Sequence, residues 1–156
     1  MIYRKESLKI NVYENEIAVT LFNLREYCKT ESELANTFEI LRKIGYKNIQ
    51  VSAVPLEAVV IRKQLDAFEM RCCATHEGFD TFFGDPAALA DKLDILGCDF
   101  VALGAPLPMY RTQIGILELA DKFNKQSEKM AAYGKMLAYH NHHFEFDRHC
   151  CPVKNQ

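Results

Sequence analysis

The chain has 156 residues, of which 49% are hydrophobic and 26% charged, and its formal net charge is -2. This length suffices for one domain with a substantial core and is too short for two ordinary domains. The near-neutral charge gives no basic footprint for nucleic-acid binding, and neither a membrane span nor the apolar core of a signal peptide is found. We therefore expect a cytoplasmic protein without nucleic-acid or membrane partners, in which the six cysteines are reduced.

Residues 1–15 are polar and mixed, and we interpret them as an N-terminal extension. The first predicted strand covers residues 17–22. Thr30 and Glu33 then form the S/T-x-x-E pattern of a capping box, and apolar residues follow at helical spacing. Gly45 supplies a left-handed residue that ends this helix.

The second and third strands are predicted at residues 48–52 and 70–75, and Pro55 is expected in the first turn of the helix between them. Asp85 and Pro86 predict the start of the next helix, and a fourth strand covers residues 98–103. The apolar positions that we expect to face the core in these two helices are Leu56, Val59, Val60 and Phe68 in the first, and Leu89, Leu93 and Leu96 in the second.

A long helix is predicted over residues 112–133, with a break near Asn124, and a fifth strand over residues 135–146. The apolar face expected for the helix consists of Ile114, Leu117, Ala120 and Phe123. The run Met136-Leu-Ala-Tyr139 reads as a strand buried on both faces.

A single glycine, at positions 45, 97 and 134, joins a helix to the following strand three times along the chain. Such punctuation, with strands alternating with helices of 10 to 20 residues, predicts repeated βα units. The sequence therefore predicts an α/β fold with a parallel sheet and right-handed crossovers.

Polar residues gather at the carboxyl end of the fifth predicted strand. Because strand side chains alternate between faces, His140 and His142 are expected on one face and Asn141 on the other, with Glu145 just beyond. Two imidazoles on one face make a plausible half of a divalent-metal site. Carboxyl ends of parallel strands are also where α/β folds place their active sites.

Four stretches of the chain carry a resemblance to a known family: Thr20-Leu-Phe-Asn-Leu-Arg-Glu26, Leu41-Arg-Lys-Ile-Gly-Tyr-Lys-Asn-Ile49, His76 at the end of the third strand, and Leu137-Ala-Tyr-His-Asn-His-His-Phe-Glu-Phe146. Together they resemble the sugar phosphate isomerase/epimerase family, the xylose isomerase-like TIM barrels. The resemblance implies a (β/α)8 barrel that binds a divalent metal (Mn, Mg, Co or Zn) and a small-molecule sugar or sugar phosphate. In such enzymes the metal polarises substrate oxygens while carboxylates move a proton between adjacent carbons.

A complete barrel of this kind needs about 250 residues, whereas the resemblance here covers residues 16–148 and ends after the fifth strand. We therefore expect a partial (β/α)8 TIM barrel with about five parallel strands and four helices, followed by a tail over residues 149–156 that is unlike the family. Ligands and a catalytic carboxylate that the family takes from strands six to eight have no counterpart, so the sequence predicts a truncated barrel and an incomplete activity.

The resemblance implies that His140 and His142 are metal ligands, that Glu145 is catalytic, and that substrate contacts come from His76, Arg25 and Asn141. Plainer roles stay open, because the histidines can simply hydrogen-bond and Glu145 can be a solvated loop residue. For Arg25, an exposed ion pair with Glu26 is the plainer alternative. A zinc cluster that joins His149, Cys150 and Cys151 to the histidines is disfavoured by its spacing.

Two other functions remain open at this stage. One is a metal-dependent hydrolase or lyase, including endonuclease-like barrels, which use the same types of ligand. The other is an inactive fragment that needs a partner chain, because unpaired strand edges of an open barrel invite association, including a homo-oligomer.

Overall fold

The computed structural model describes residues 17–146; residues 1–16 and 147–156, which include the predicted N-terminal extension and the tail with His149, Cys150 and Cys151, lie outside the described part. In chain order the elements are β1 (Ala18–Thr20), a 3₁₀ helix (Leu21–Tyr27), α1 (Glu31–Ile44), β2 (Asn48–Val51), α2 (Ala58–Ala67), β3 (Arg71–Glu77), α3 (Phe79–Phe82), α4 (Pro86–Leu96), β4 (Phe100–Leu103), a 3₁₀ helix (Pro108–Tyr110), α5 (Gln113–Ala131), β5 (Met136–Tyr139) and a 3₁₀ helix (His143–Phe146).

The five strands form one parallel sheet in the order β1-β2-β3-β4-β5. Each strand therefore neighbours the next in sequence, with a helical crossover between them, which is how consecutive units of a (β/α)8 barrel are arranged. The prediction of about five parallel strands and four helices is confirmed, with α3 as an additional helix of a single turn. Within residues 17–146 the sheet is open, with β1 and β5 as its edges.

The local signals that the sequence carries for helix ends are satisfied in the structure. Thr30 and Glu33 form the predicted capping box, in which the Thr30 hydroxyl accepts from the Glu33 N–H and the Glu33 carboxylate accepts from the Thr30 N–H. Gly45, Gly97 and Gly134 all have positive φ, at 112°, 67° and 71°. Each occupies the left-handed conformation that lets a helix turn directly into the next strand.

Two apolar clusters fill the space between the sheet and the helices. The first surrounds the fully buried Phe38 of α1 and includes residues of β2 and α2. The second surrounds Phe82, also fully buried, and joins β4 to α4 and α5. The predicted stripe of α4 is buried as expected, with Leu89 and Leu93 in the second cluster and Leu96 in the first.

The predicted start of α2 is wrong, and its predicted inner face is right only in part, because Phe68 packs against the first cluster whereas Val59 is exposed. The helix begins at Ala58 and not at Pro55, and its buried residues are Ile61, Gln64 and Leu65. Val59 is 60% exposed. Of the four residues between Ser52 and the helix cap at Glu57, Val54 and Leu56 pack against the first cluster.

Most of the predicted apolar face of α5 is also wrong, because the helix buries Gly115, Leu119, Gln126 and Met130, although the predicted Phe123 does pack against the second cluster. The predicted break near Asn124 is wrong as well, since the helix is continuous. Ile114 and Leu117 are 72% and 69% exposed. The polar residue Gln126 is buried because its side-chain amide donates to the carbonyls of Phe82 and Gly84, at 3.0 and 3.4 Å. The hydrogen bonds of Gln126 and the close packing at Gly115 therefore decide which side of this helix is buried, and hydrophobic spacing does not.

The first and fifth strands are shorter than predicted. β1 ends at Thr20 and passes into a 3₁₀ helix, and β5 ends at Tyr139 and not near Phe146. The residues of β5 are half-buried, so the prediction that both faces are covered is wrong. The reason is that β5 is an edge strand of the described sheet, paired on one side only with β4. None of the described helices has the length and apolar content needed to cross a membrane.

Candidate functional site

Three histidines meet at the carboxyl ends of β3 and β5. His76 lies in β3, opposite Ala102 of β4, which in turn is opposite Ala138 of β5. The ring centroids of His76 and His140 are 4.7 Å apart in an edge-to-face arrangement, and those of His140 and His142 are 4.8 Å apart. We refer to His76, His140 and His142 as the histidine cluster.

His140 and His142 lie close together as predicted, but the alternation of side chains along a strand is not the cause. β5 ends at Tyr139, so His140 and His142 lie beyond the strand, and His140 is placed by its backbone N–H, which donates to the Leu103 carbonyl at 3.3 Å. Burial lowers the pKa of His76, and positive charge on His140 and His142 lowers it further. The His76 imidazole is therefore neutral at neutral pH, able both to donate and to accept a hydrogen bond.

Glu145 is engaged by the segment that it belongs to. One of its carboxylate oxygens accepts from the Tyr139 hydroxyl and the other accepts from the His142 backbone N–H. Burial tends to raise the pKa of Glu145, but these hydrogen bonds outweigh it and leave the pKa below its usual value. Burial, together with the nearby carboxylate, raises the pKa of the Tyr139 phenol.

A stack of flat side chains connects this segment to the start of α5. The Arg111 guanidinium lies 4.0 Å from the centroid of the Phe144 ring, which is within cation–π range. Phe144 in turn stacks on His142, with ring centroids 5.1 Å apart and an interplanar angle of 11°. The histidine cluster is thus supported from the α5 side of the sheet.

A cavity of about 450 Å³ opens over the carboxyl ends of the first three strands. Its charged lining consists of Arg25, Glu26, Lys29, Glu77 and Lys92, and the His76 imidazole also lines it. Lys92 contacts the buried Glu77 at 2.8 Å, and Lys29 contacts Glu26 at 2.5 Å. The Arg25 guanidinium donates to the Phe22 carbonyl at 2.7 Å and lies 3.9 Å from Glu26.

The structure brings some of the predicted site residues together and separates others. His76 and Arg25 line the same cavity, and His76 also belongs to the histidine cluster. Asn141 is exposed and is not among the residues that line that cavity. Glu145 instead lines a second cavity, of about 200 Å³, with Arg111 and Phe144. The functional roles predicted for these residues remain predictions.

Sequence reasoning missed two groups at this site. The first is the ion pair between Glu77 and Lys92. Glu77 follows His76 at the end of β3, and nothing in the sequence there indicates that Lys92 of α4 will contact it. The second is the stack of Arg111 and Phe144 on His142. This contact depends on how the turn after β4 approaches the turn after β5, which the sequence does not indicate.

A divalent metal, which the resemblance implies, can be tested against the residues present. The donor chemistry is suitable, since imidazoles ligate Mn, Co and Zn, and the buried Nδ1 of His142 has no hydrogen-bond partner. However, residues 17–146 contain no group of three or more His, Cys, Asp or Glu side chains arranged to hold a metal ion. The described residues therefore do not form a complete metal site.

The fold, with the histidine cluster at the carboxyl ends of its strands, is that of an α/β protein with five consecutive parallel strands of a (β/α)8-type barrel. Neither a protein-family model nor a curated protein matches the sequence. Among solved structures, the chain is similar to a sugar phosphate isomerase/epimerase from Parabacteroides distasonis, with a TM-score of 0.67 and 16% identity over 81% of this chain and 51% of that one.

Two further solved structures share the architecture. A xylose isomerase domain-containing protein from Salmonella typhimurium has a TM-score of 0.52 and 9% identity, over 78% of this chain and 47% of that one. The probable 3-DHS dehydratase AsbF from Bacillus anthracis has a TM-score of 0.58 and 9% identity, over 80% of this chain and 51% of that one. The chain thus spans about half the length of these structures. At such identities the likeness establishes the fold and agrees with the resemblance noted in the sequence.

Proposed function

We propose that this protein is a sugar or sugar phosphate isomerase/epimerase-like protein whose substrate binds in the cavity over β1 to β3 and reaches the histidine cluster. The observation that carries this proposal is that His76 belongs to both the cavity and the histidine cluster. Its side chain lines the cavity, and its ring centroid lies 4.7 Å from that of His140. The fold shared with the solved isomerase/epimerase structure supports the choice of reaction class.

The chemistry of the cavity suits a polyhydroxylated ligand that carries a negative charge. The neutral His76 imidazole can donate and accept hydrogen bonds with hydroxyl groups. Arg25, Lys29 and Lys92 supply three cations against the two carboxylates of Glu26 and Glu77. A bound phosphate would compete with those carboxylates for the lysines, so this arrangement favours a sugar phosphate over a neutral sugar.

Isomerisation requires removal of a proton beside a carbonyl, which is feasible only where the developing oxyanion is stabilised. In metal-dependent members of such barrels a divalent ion supplies that stabilisation. His140 and His142 would contribute part of its ligand set, and the remaining ligands would have to come from outside residues 17–146. The predicted catalytic role of Glu145 would require its carboxylate to leave Tyr139 and His142.

The proposal is tested by ligand binding before turnover. Ketose and aldose phosphates are screened against the protein by saturation-transfer difference NMR, and the affinity of any ligand found is then measured for the His76→Ala, Arg25→Ala and His143→Ala variants. We expect the first two to weaken binding about tenfold, the loss typical of a hydrogen bond to a charged ligand. His143 is exposed and is not a member of the histidine cluster, so it serves as the matched control. Equal binding by all variants would remove the proposed site.

A lyase is the second candidate, because one of the structures that share the fold is a probable dehydratase. Elimination of water from a β-hydroxy carbonyl compound also starts with proton removal beside the carbonyl, so the same pocket geometry serves both reactions. Product analysis separates them: an isomerase conserves the mass of its substrate, whereas a dehydratase yields a conjugated product that has lost water and absorbs in the ultraviolet.

A role that requires a partner chain is favoured by a different observation. β1 and β5 are edges of the described sheet, and the helices beside them expose large apolar residues, namely Ile40 and Ile44 on α1 and Ile114 and Leu117 on α5. We propose a second copy of the chain as the partner, because unpaired edges of identical sheets can associate. Light scattering coupled to size-exclusion chromatography tests this, and a monomer at 100 µM that melts cooperatively contradicts it.

A further inference from the structure

One carboxylate holds the segment that follows β5 in place. Glu145 bridges the Tyr139 hydroxyl, at the end of the strand, and the His142 backbone N–H, in the turn. Its side chain is only 18% exposed, so water competes poorly for these two hydrogen bonds. The bridge closes the chain from residue 139 to residue 145 into a fixed turn.

The ring of His142 depends on that turn. It lies between Phe144, on which it stacks at 5.1 Å, and His140, at 4.8 Å, and it is half-buried. Phe144 is itself covered by the Arg111 guanidinium at 4.0 Å. If the bridge opens, the backbone of residues 142–145 is released, and both the stacking on Phe144 and the approach to His140 are lost.

We propose that Tyr139 and Glu145 are positioning residues that fix the His142 imidazole beside His140. The significance of His142 rests on the function proposed above, whereas the bridge itself is visible in the described residues. Tyr139 is suited to this task because its backbone is fixed by pairing with Leu103 of β4. A strand-end hydroxyl and a turn N–H that share one carboxylate restrain the turn more than either bond alone.

The test measures how accessible each histidine is, with the complete chain and without any substrate. Diethyl pyrocarbonate modifies exposed imidazoles, and mass spectrometry resolves the rate at His76, His142 and His143. In Tyr139→Phe, which removes only the hydroxyl, and in Glu145→Gln, we expect the rate at His142 to rise about tenfold, as expected for loss of one hydrogen bond to a charged acceptor. Deuterium exchange at the His142 amide should accelerate in parallel.

His143 is exposed and should keep its rate, which makes it an internal control, and Glu118→Gln, an exposed position on α5, is the matched control variant. An unchanged rate at His142 in both Tyr139→Phe and Glu145→Gln would overturn the proposal. An equal rise at His76 and His142 would also overturn it, because that pattern indicates general loosening of the fold. Failure to find any sugar ligand would remove the proposed function and leave these rates unaffected, so the two ideas fail separately.

Discussion

Lys135, the residue before β5, offers the most quantitative test of the packing. Its side chain is only 4% exposed, and its ammonium contacts Asp94 at 2.5 Å and Asp99 at 2.6 Å, with the Cys98 carbonyl at 3.4 Å. The two carboxylates are 68% and 80% exposed. The cation is therefore buried while its anionic partners are hydrated, which makes the two ways of breaking the contact unequal.

Lys135→Met removes the buried charge, keeps the aliphatic volume, and leaves two carboxylates that water can solvate. We expect a loss of about 1–2 kcal/mol in the free energy of unfolding, mostly from the lost charge-assisted hydrogen bonds. The double variant Asp94→Asn and Asp99→Asn leaves a buried ammonium without an anionic partner. That loss should be larger, about 3–5 kcal/mol, because an uncompensated buried charge is costly.

Urea unfolding at pH 7 measures both variants, with Lys125→Met as the matched control. Lys125 forms an exposed contact with Asp121 at 2.6 Å on α5, and its loss should change the free energy of unfolding much less than either of the other variants. If Lys135→Met proves as destabilising as the double aspartate variant, the view that burial of the cation dominates is refuted.

The pH dependence of this contact follows from the direction of the shift. Burial opposes the charged form, but the hydrogen bonds to Asp94 and Asp99 prevail and raise the pKa of Lys135 above its usual 10.5. The stabilisation is therefore complete below the unfolded pKa and is lost as the pH rises through the higher folded value. The difference between wild type and Lys135→Met should stay constant from pH 7 to pH 9 and shrink above about pH 10.5.

Three further changes test the fold by thermal or urea unfolding. Thr30→Ala removes the capping-box hydroxyl of α1 and should cost about 1 kcal/mol; a cost near zero would mean that the cap is dispensable. Gly97→Ala places a side chain at a φ of 67° and should cost about 1–2 kcal/mol, whereas Gly78→Ala, at an ordinary φ and with open space around it, should cost less. Gln126→Leu leaves the Phe82 carbonyl without its partner and should cost about 1–3 kcal/mol; a gain in stability would show that the buried amide is not required.

Sequence patterns predicted the parts of the fold that depend on local interactions. The capping box at Thr30, the proline-initiated α4 and the glycine-terminated helices are decided within a few residues of chain, so each signal is complete in the sequence. The alternation of these elements also predicted the parallel sheet, because a helix between two strands leaves few other arrangements. The motif at residues 137–146 directed attention to the histidines that the structure brings together.

Several errors in the prediction concern burial. In α2 and α5 the side that faces the core was assigned from apolar spacing, and both helices turned out to bury a glutamine, Gln64 and Gln126. Gln64 donates to Glu31 and Gln126 donates to the Phe82 carbonyl, and neither partner is near in sequence. A polar residue is buried when such a partner is available, so the inward face cannot be assigned from the residue alone.

The sequence by itself determined the order of the elements, the ends of most helices and the approximate place of the polar residues that follow β5, because these depend on short-range hydrogen bonding and periodicity. Only the tertiary structure decided that His76 meets the two later histidines, that Lys92 reaches Glu77, and that Glu145 binds back to Tyr139. Contacts of this kind depend on strand register, on where β5 stops and on the path of the turns beyond it. Those features arise from packing across the whole sheet.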